Sequence, residues 1–268
     1  MKRERRPWPA NPPLSRARSP RHNLGMRAPS LLLAALVVTL CGCIGAPEAT
    51  LESDPGAPII AASNFLHPPF SSRDAAGRPI GVEVDLIEEA ARRLGRPLTW
   101  TELPFGELIP EVAAGRVDVS ASTIGITDER ARMIAYTEPY FETSIVALVR
   151  PSAGEPRRLE DLRGRRVVTE RGTSTIGAVR ARIPEAIRVL ERPDERSWGE
   201  LLAAGEVDAV ALDRSHAPKF SADAGVEFHV IPEAIAAERF ALVTRQGDDL
   251  LREALNEVIR ERSVELLD

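Results

Sequence analysis

The chain has 268 residues, of which 43% are hydrophobic and 28% charged; this is enough to bury one large core or two small ones and excludes wholesale disorder. Of its 35 basic and 40 acidic residues, residues 1–42 hold eight and one, and the remaining 27 and 39 give residues 43–268 a net charge of −12. An acidic body lacks the cationic surface that displaces counterions from phosphates, so no nucleic-acid partner is expected.

In chain order, residues 1–25 are rich in Arg and Pro and have no apolar period, so they bury too little to order themselves. Met26-Arg27 precedes an apolar run from Leu31 to Leu40. At about ten residues the run is too short to cross roughly 30 Å of hydrocarbon. A basic start, a short apolar stretch and small residues before a cut describe a secretory signal over 1–42, with Met26 the expected true start. The run ends in Leu40-Cys41-Gly42-Cys43, which resembles the bacterial lipobox, whose Cys is acylated and becomes the mature N-terminus. That resemblance makes Cys43 a lipid anchor and residues 43–57, broken by Gly and Pro, a tether. Cys41 and Cys43 are the only cysteines, so no disulfide staples the body and no Cys-based metal cluster is expected.

From residue 58 strands and helices alternate. Strands are expected at 58–63, 98–102, 117–121, 144–149, 165–169, 187–190, 207–212, 226–231 and 239–244. Helices are expected at 84–94, 106–114, 173–182, 196–204, 214–222 and 248–262. In 84–94, Leu86, Ile87, Ala90, Ala91 and Leu94 fall on one face. Alternation of this kind predicts mostly parallel, buried sheets with ligands bound where strand ends meet helix starts. The sequence also echoes itself. Ala113-Ala114-Gly115-Arg116-Val117-Asp118-Val119 returns as Ala203-Ala204-Gly205-Glu206-Val207-Asp208-Ala209, with five identities in seven. Each copy follows a helical pattern and leads into a strand, which points to two similar α/β units.

Several ordered motifs then identify a family. His67-Pro68-Pro69-Phe70, Asp74, Gly77 and Gly81-Val82-Glu83-Val84-Asp85-Leu86 resemble the opening of the bacterial extracellular solute-binding proteins of the polar amino-acid family. Phe105-Gly106-Glu107-Leu108-Ile109-Pro110, Ile126-Thr127-Asp128-Glu129-Arg130 and Thr137-Glu138-Pro139-Tyr140 resemble its next segments. The resemblance runs from about 58 to 262. It implies an α/β fold of two Rossmann-like lobes joined by two hinge strands, the type II periplasmic binding protein fold. Lobe 1 is expected to hold 58–144 and 237–268, lobe 2 145–236, with hinges near 143–146 and 236–240. It further implies a monomer that hands an amino-acid-like ligand to the membrane subunits of an ABC importer. The location is extracytoplasmic, in the periplasm or on the outer cell surface.

The resemblance also assigns site residues. Arg130 matches the family's Arg that grips the ligand's α-carboxylate, and only Arg presents a planar fork for bidentate carboxylate binding. On sequence alone it is a solvated residue in a short helix opened by Asp128-Glu129. Asp213, at the end of a strand, matches the acid that takes the ligand's ammonium; its plainer role is an N-cap, and the two roles compete for the same oxygens. The turn Gly172-Thr173-Ser174-Thr175 matches a loop that meets the carboxylate with N–H groups and a hydroxyl, making Thr173 and Thr175 candidates. Phe105 stands where the family stacks a side chain on the ligand, or is a core Phe.

Departures from the pattern fall in the same set. His67 replaces an aromatic lid and titrates near neutrality. Asn64 stands where an acid is common. Thr123-Ile124-Gly125 ends in Gly125, where a Ser or Thr hydroxyl is usual. Glu170, before the Gly172 turn, makes a cationic ligand group conceivable. No cofactor or metal is expected, since His22, His67, His216 and His229 have no metal-ligand spacing. No Gly-x-Ser-x-Gly elbow or P-loop is present. Two other readings stay open: a sensory ligand-binding protein, and a cyclohexadienyl-dehydratase-like enzyme on the same fold. The latter acts through an acid just after the Gly-Thr turn, where this chain has Ser174-Thr175-Ile176-Gly177.

Overall fold

The computed structural model describes residues 56–152, 154–186 and 198–262. The signal region, the start at Met26, Cys43 with most of the tether, and the strand expected at 187–190 lie outside the described residues. β1 (Ile59–Ser63) is followed by a small hairpin, β2 (Ser72–Arg73) and β3 (Pro79–Ile80), and by α1 (Val82–Leu94). Leu86, Ile87, Ala90 and Ala91 are the buried stripe of α1, and Gly95 ends the helix in the left-handed conformation, φ 65°. β4 (Leu98–Glu102), α2 (Phe105–Ala113), β5 (Val119–Ser120), α3 (Asp128–Ala131) and β6 (Ala135–Tyr136) complete the first run.

The long strand β7 (Phe141–Val149) leads into β8 (Val167–Val168), α4 (Thr175–Arg182), α5 (Trp198–Ala203), β9 (Ala209–Asp213), α6 (Ala217–Ala224) and β10 (His229–Val230). The chain returns through β11 (Ala236–Phe240) to β12 (Val243–Thr244) and ends its described part in α7 (Asp249–Arg262).

Two five-stranded sheets result. The first has the order β4-β1-β5-β12-β6; the second runs β10-β7-β9-β8 with β11 also on β7. Helices bury apolar stripes against both faces of each sheet. In the first, α1 and α7 bury Leu86, Ile87, Leu251, Leu255 and Val258 on one side, and α2 buries Leu108 and Val112 on the other. In the second, alternate residues of β7 face opposite layers: Ile145 and Ala147 toward Val179 of α4, Leu148 toward Leu201 and Leu202 of α5. Each fully buried Leu or Ile contributes about 1.5–3 kcal/mol. This is the two-lobed α/β architecture of the type II periplasmic binding protein fold.

The internal echo is structural. Asp118 donates its N–H to the Ile60 carbonyl at 2.9 Å and accepts the Ile60 N–H on Oδ2 at 2.8 Å. Asp208 does the same to Arg166, at 2.9 and 2.8 Å. Gly115 and Gly205, each just before, have φ 71° and 74°, so the same left-handed turn aims each Asp at its neighbouring strand.

Two expectations are corrected. The sheets are mixed, not mostly parallel: β1 pairs parallel with β4 and β5, and β8 with β9, but β12 is antiparallel to β5 and β6, and β7 to β9, β10 and β11. The cause is connectivity. The chain leaves the first sheet along β7 and returns along β11, and strands paired side by side in opposite directions of travel are antiparallel. The single strand expected at 239–244 is likewise two. At Ala241 and Leu242 the backbone stops pairing with β7 and instead bonds the Ile124 carbonyl and Thr137, so the chain passes to the other sheet.

Candidate functional site

β7 and β11 run side by side, Ala236 opposite Ile145 and Phe240 opposite Phe141. A cavity lies against them, with walls drawn from both sheets. Its first wall carries His67, Phe105, Thr123, Gly125 and Arg130; its second carries Thr173, Thr175, Asp213 and His216. Eight of the nine expected cavity residues are therefore brought together. The ninth, Asn64, does not line the cavity.

Arg130 is set by its own short helix. Thr127 caps α3 by accepting the Arg130 N–H on Oγ1 at 3.2 Å. Arg130 as a whole is 7% exposed. Nη1 donates to the Gly125 carbonyl at 2.7 Å and Nη2 to the Gly172 carbonyl at 2.8 Å, and the guanidinium carbon lies 5.7 Å from the centre of the Phe105 ring. Three of its five N–H donors remain. The side chain is thus neither an internal ion pair nor a solvated helix residue.

The two oxygens of Asp213, for which capping and ligand binding compete in the sequence reading, are placed differently. Oδ1 caps the turn after β9, accepting from the Ser215 N–H at 2.8 Å and from the Ser215 and Thr143 hydroxyls at 2.5 and 3.2 Å. Oδ2 is buried and has no partner among the described residues. A buried carboxylate oxygen with no donor costs free energy until one arrives.

The turn before α4 contributes less than expected from its hydroxyls. Thr173 donates both its hydroxyl, at 2.7 Å, and its N–H, at 3.4 Å, to the Glu170 carbonyl. Thr175, first in α4, is buried in the cavity wall. Thr123 sits at φ 49° and donates its N–H to Glu83 Oε1 at 2.8 Å. Asn64 acts beneath the wall: Oδ1 accepts from Ser122 and the Leu66 N–H, and Nδ2 donates to His67 Nε2 at 3.1 Å. It orients His67.

His67 stacks on His216, ring centres 4.6 Å apart, joining the two walls. The expectation that His67 titrates near neutrality is overturned. Burial first, then the His216 and Lys219 charges, lower its pKa to about 3. Burial also lowers His216, with Asp213 opposing. Burial thus disfavours the charged form of both rings, which stack over the cavity.

Among the cavity residues that the sequence reading does not single out are His216 and Glu238. For His216 the available signal is its place three residues after Asp213. Glu238 lies on β11, 9% exposed, and accepts a hydrogen bond from the Ser174 hydroxyl. Burial raises its pKa; the Ser174 bond lowers it, Asp213 raises it and Arg130 lowers it. Its signal was a charge in the alternating register of Ala236, Glu238 and Phe240, where the other two residues are apolar.

A model of the bacterial extracellular solute-binding proteins, family 3, matches residues 59–265. A histidine-binding periplasmic protein of Escherichia coli (strain K12) is 28% identical over 202 residues, 72% of this chain and 77% of that protein. An L-cystine-binding protein of the same strain is 26% identical over 196 residues, 73% of each chain. The structure of holo ArgBP from T. maritima is 32% identical, with TM-score 0.66, over 77% of this chain and 90% of that one.

Proposed function

The chain belongs to the bacterial extracellular solute-binding proteins, family 3, and from that premise we propose that it is the lipid-anchored receptor of an ABC importer, holding an α-amino acid between its two walls. The observation that carries this reading is one cavity with opposite charges from separate sheets: the Arg130 guanidinium with donors to spare, and Asp213 with Oδ2 unpartnered. The α-carboxylate goes to Arg130 and the N–H groups of the Thr173 turn, the ammonium to Asp213. Histidine, cystine and arginine, the ligands named for the relatives, all carry this head group.

Residues 58–144 with 237–268 form one lobe and 145–236 the other in this reading, and the β7–β11 ribbon is the hinge. Rotation about it opens the cavity, and ligand contacts made only in the closed state favour closure. A dissociation constant of order micromolar, about −8 kcal/mol, suits capture followed by release. Cys43 carries the lipid, and the protein works as an extracytoplasmic monomer without catalysis. Its Ser174–Gly177 stretch holds no acid to serve a dehydratase.

A thermal-shift screen of the wild-type protein against the twenty amino acids, followed by calorimetry, tests the reading. At least one amino acid should bind saturably at one site, and Arg130→Ala should remove it. Binding of none, or binding that survives Arg130→Ala unchanged, overturns it.

A further inference from the structure

Glu238 stands in space that another residue leaves open. A Cβ built on Gly125 would overlap Glu238 Oε1 and crowd Ser174 Oγ. Gly125 is fixed in place: its carbonyl accepts from Arg130 and Tyr136, and its backbone bridges to Phe240, two residues beyond Glu238. Any side chain at 125 therefore moves the Glu238 carboxyl out of its position. The cavity has exchanged a side chain at 125 for a carboxyl reaching in from the ribbon between the sheets.

We propose that Glu238 is a specificity-determining residue of this cavity, admitted by Gly125, and that it selects a ligand of net positive charge, a cationic α-amino acid. The inference rests on the amino-acid reading above and deepens it. Among the described residues, the buried ionisable groups lining the cavity with a formal charge are Arg130, Asp213 and Glu238. Burial disfavours charge on His67 and His216, and Glu170 lies at the exposed edge. One guanidinium faces two carboxyls. A zwitterion adds no net charge and leaves one carboxyl uncompensated, which burial penalises. A cationic amino acid brings the missing charge and leaves the closed cavity balanced.

A rival account makes Glu238 only a latch between the walls through Ser174. A latch affects all ligands alike, so the ratio of affinities within a charge pair separates the two. Calorimetry at pH 7.5 with arginine against citrulline, and lysine against glutamine, compares near-isosteric pairs that differ in charge. Wild type should favour the charged member by at least about tenfold. Glu238→Gln keeps an oxygen for Ser174 and should erase most of that preference, mainly by weakening the charged member. Gly125→Ser should do the same by displacing the carboxyl, and the double variant should add little to either. A wild type that prefers the neutral members, or a folded Glu238→Gln protein with an unchanged ratio, overturns this inference while leaving the amino-acid reading intact. Failure to bind any of the twenty amino acids overturns both.

Discussion

Arg130 Nη2 donates to the Gly172 carbonyl at 2.8 Å, joining α3 of the first sheet's side to the turn before α4 of the second. The bond aligns the guanidinium with the very turn whose N–H groups meet a carboxylate in the proposed complex. Arg130→Ala should therefore lower ligand affinity by about ten- to a hundredfold, the range of one charge-assisted pair. Arg130→Lys should recover little, since an ammonium cannot serve two carbonyls and a carboxylate from one plane. Calorimetric titration checks both, and a Lys variant near wild-type affinity would show that charge alone suffices.

What the sequence made legible is what repeats or alternates. The buried stripe of α1 appears in its apolar period, and the Asp118 and Asp208 turns in their shared heptapeptide, because each depends on local geometry. Strand direction was not legible, since β12 pairs with residues more than a hundred positions away. The placing of Glu238 depended on a missing Cβ at Gly125, 113 positions earlier, and no periodicity joins two such residues. Arg130 and Asp213 were found through motif resemblance. The division of Asp213 into a capping and an unpartnered oxygen needed the neighbours Thr143 and Ser215 in place.

That division makes a clean test of Asp213. Asp213→Asn keeps an oxygen for the cap and removes the charge; Asp213→Ala removes both. Affinity should fall at least about tenfold in each. Only the Ala variant should also lose about 1 kcal/mol of stability for the cap. Denaturant unfolding beside calorimetry separates the two losses, and equal stability of the variants would mean that the cap contributes nothing.

On the proposed lipid anchoring at Cys43, Cys43→Ser should move the protein from the membrane fraction to the soluble one after expression in a bacterial host. Fractionation with a carbonate wash reads the outcome, and retention on membranes would point to another anchor.

The His67–His216 stack predicts acid sensitivity. At pH 7 the His67 ring is neutral whether the chain is folded or not. As pH falls below about 6.5 the unfolded chain takes up the proton, while the folded one resists until about 3. Stability is thus lost as pH falls through that window. The ring is only partly buried by surface exposure, so the loss should be about 1–2 kcal/mol after solvent screening. His67→Phe keeps a ring against His216 and should flatten the slope of melting temperature between pH 5 and 7. An equal slope in both proteins would assign the sensitivity to other groups.

Beneath the cavity floor, Tyr140 donates to Glu83 Oε1 at 2.5 Å, and the same oxygen accepts the Thr123 N–H. Glu83 is wholly buried and Oε2 has no partner among the described residues. Burial raises its pKa, with the Tyr140 and Thr123 bonds pulling it down. A raised folded pKa makes the group's contribution greatest below its unfolded value, near 4.5, and smaller as pH rises through the folded value. Tyr140→Phe removes the hydroxyl donor and exposes that trend. It should cost about 1–3 kcal/mol, with a larger cost at high pH than at low pH, because the ionised carboxylate needs the donor more than the acid does. It should also weaken ligand binding, since Thr123, at φ 49°, loses a firm partner. Denaturant unfolding at low and at high pH measures the difference; an equal loss at both would mean that Glu83 stays protonated throughout and holds Thr123 as a neutral acid.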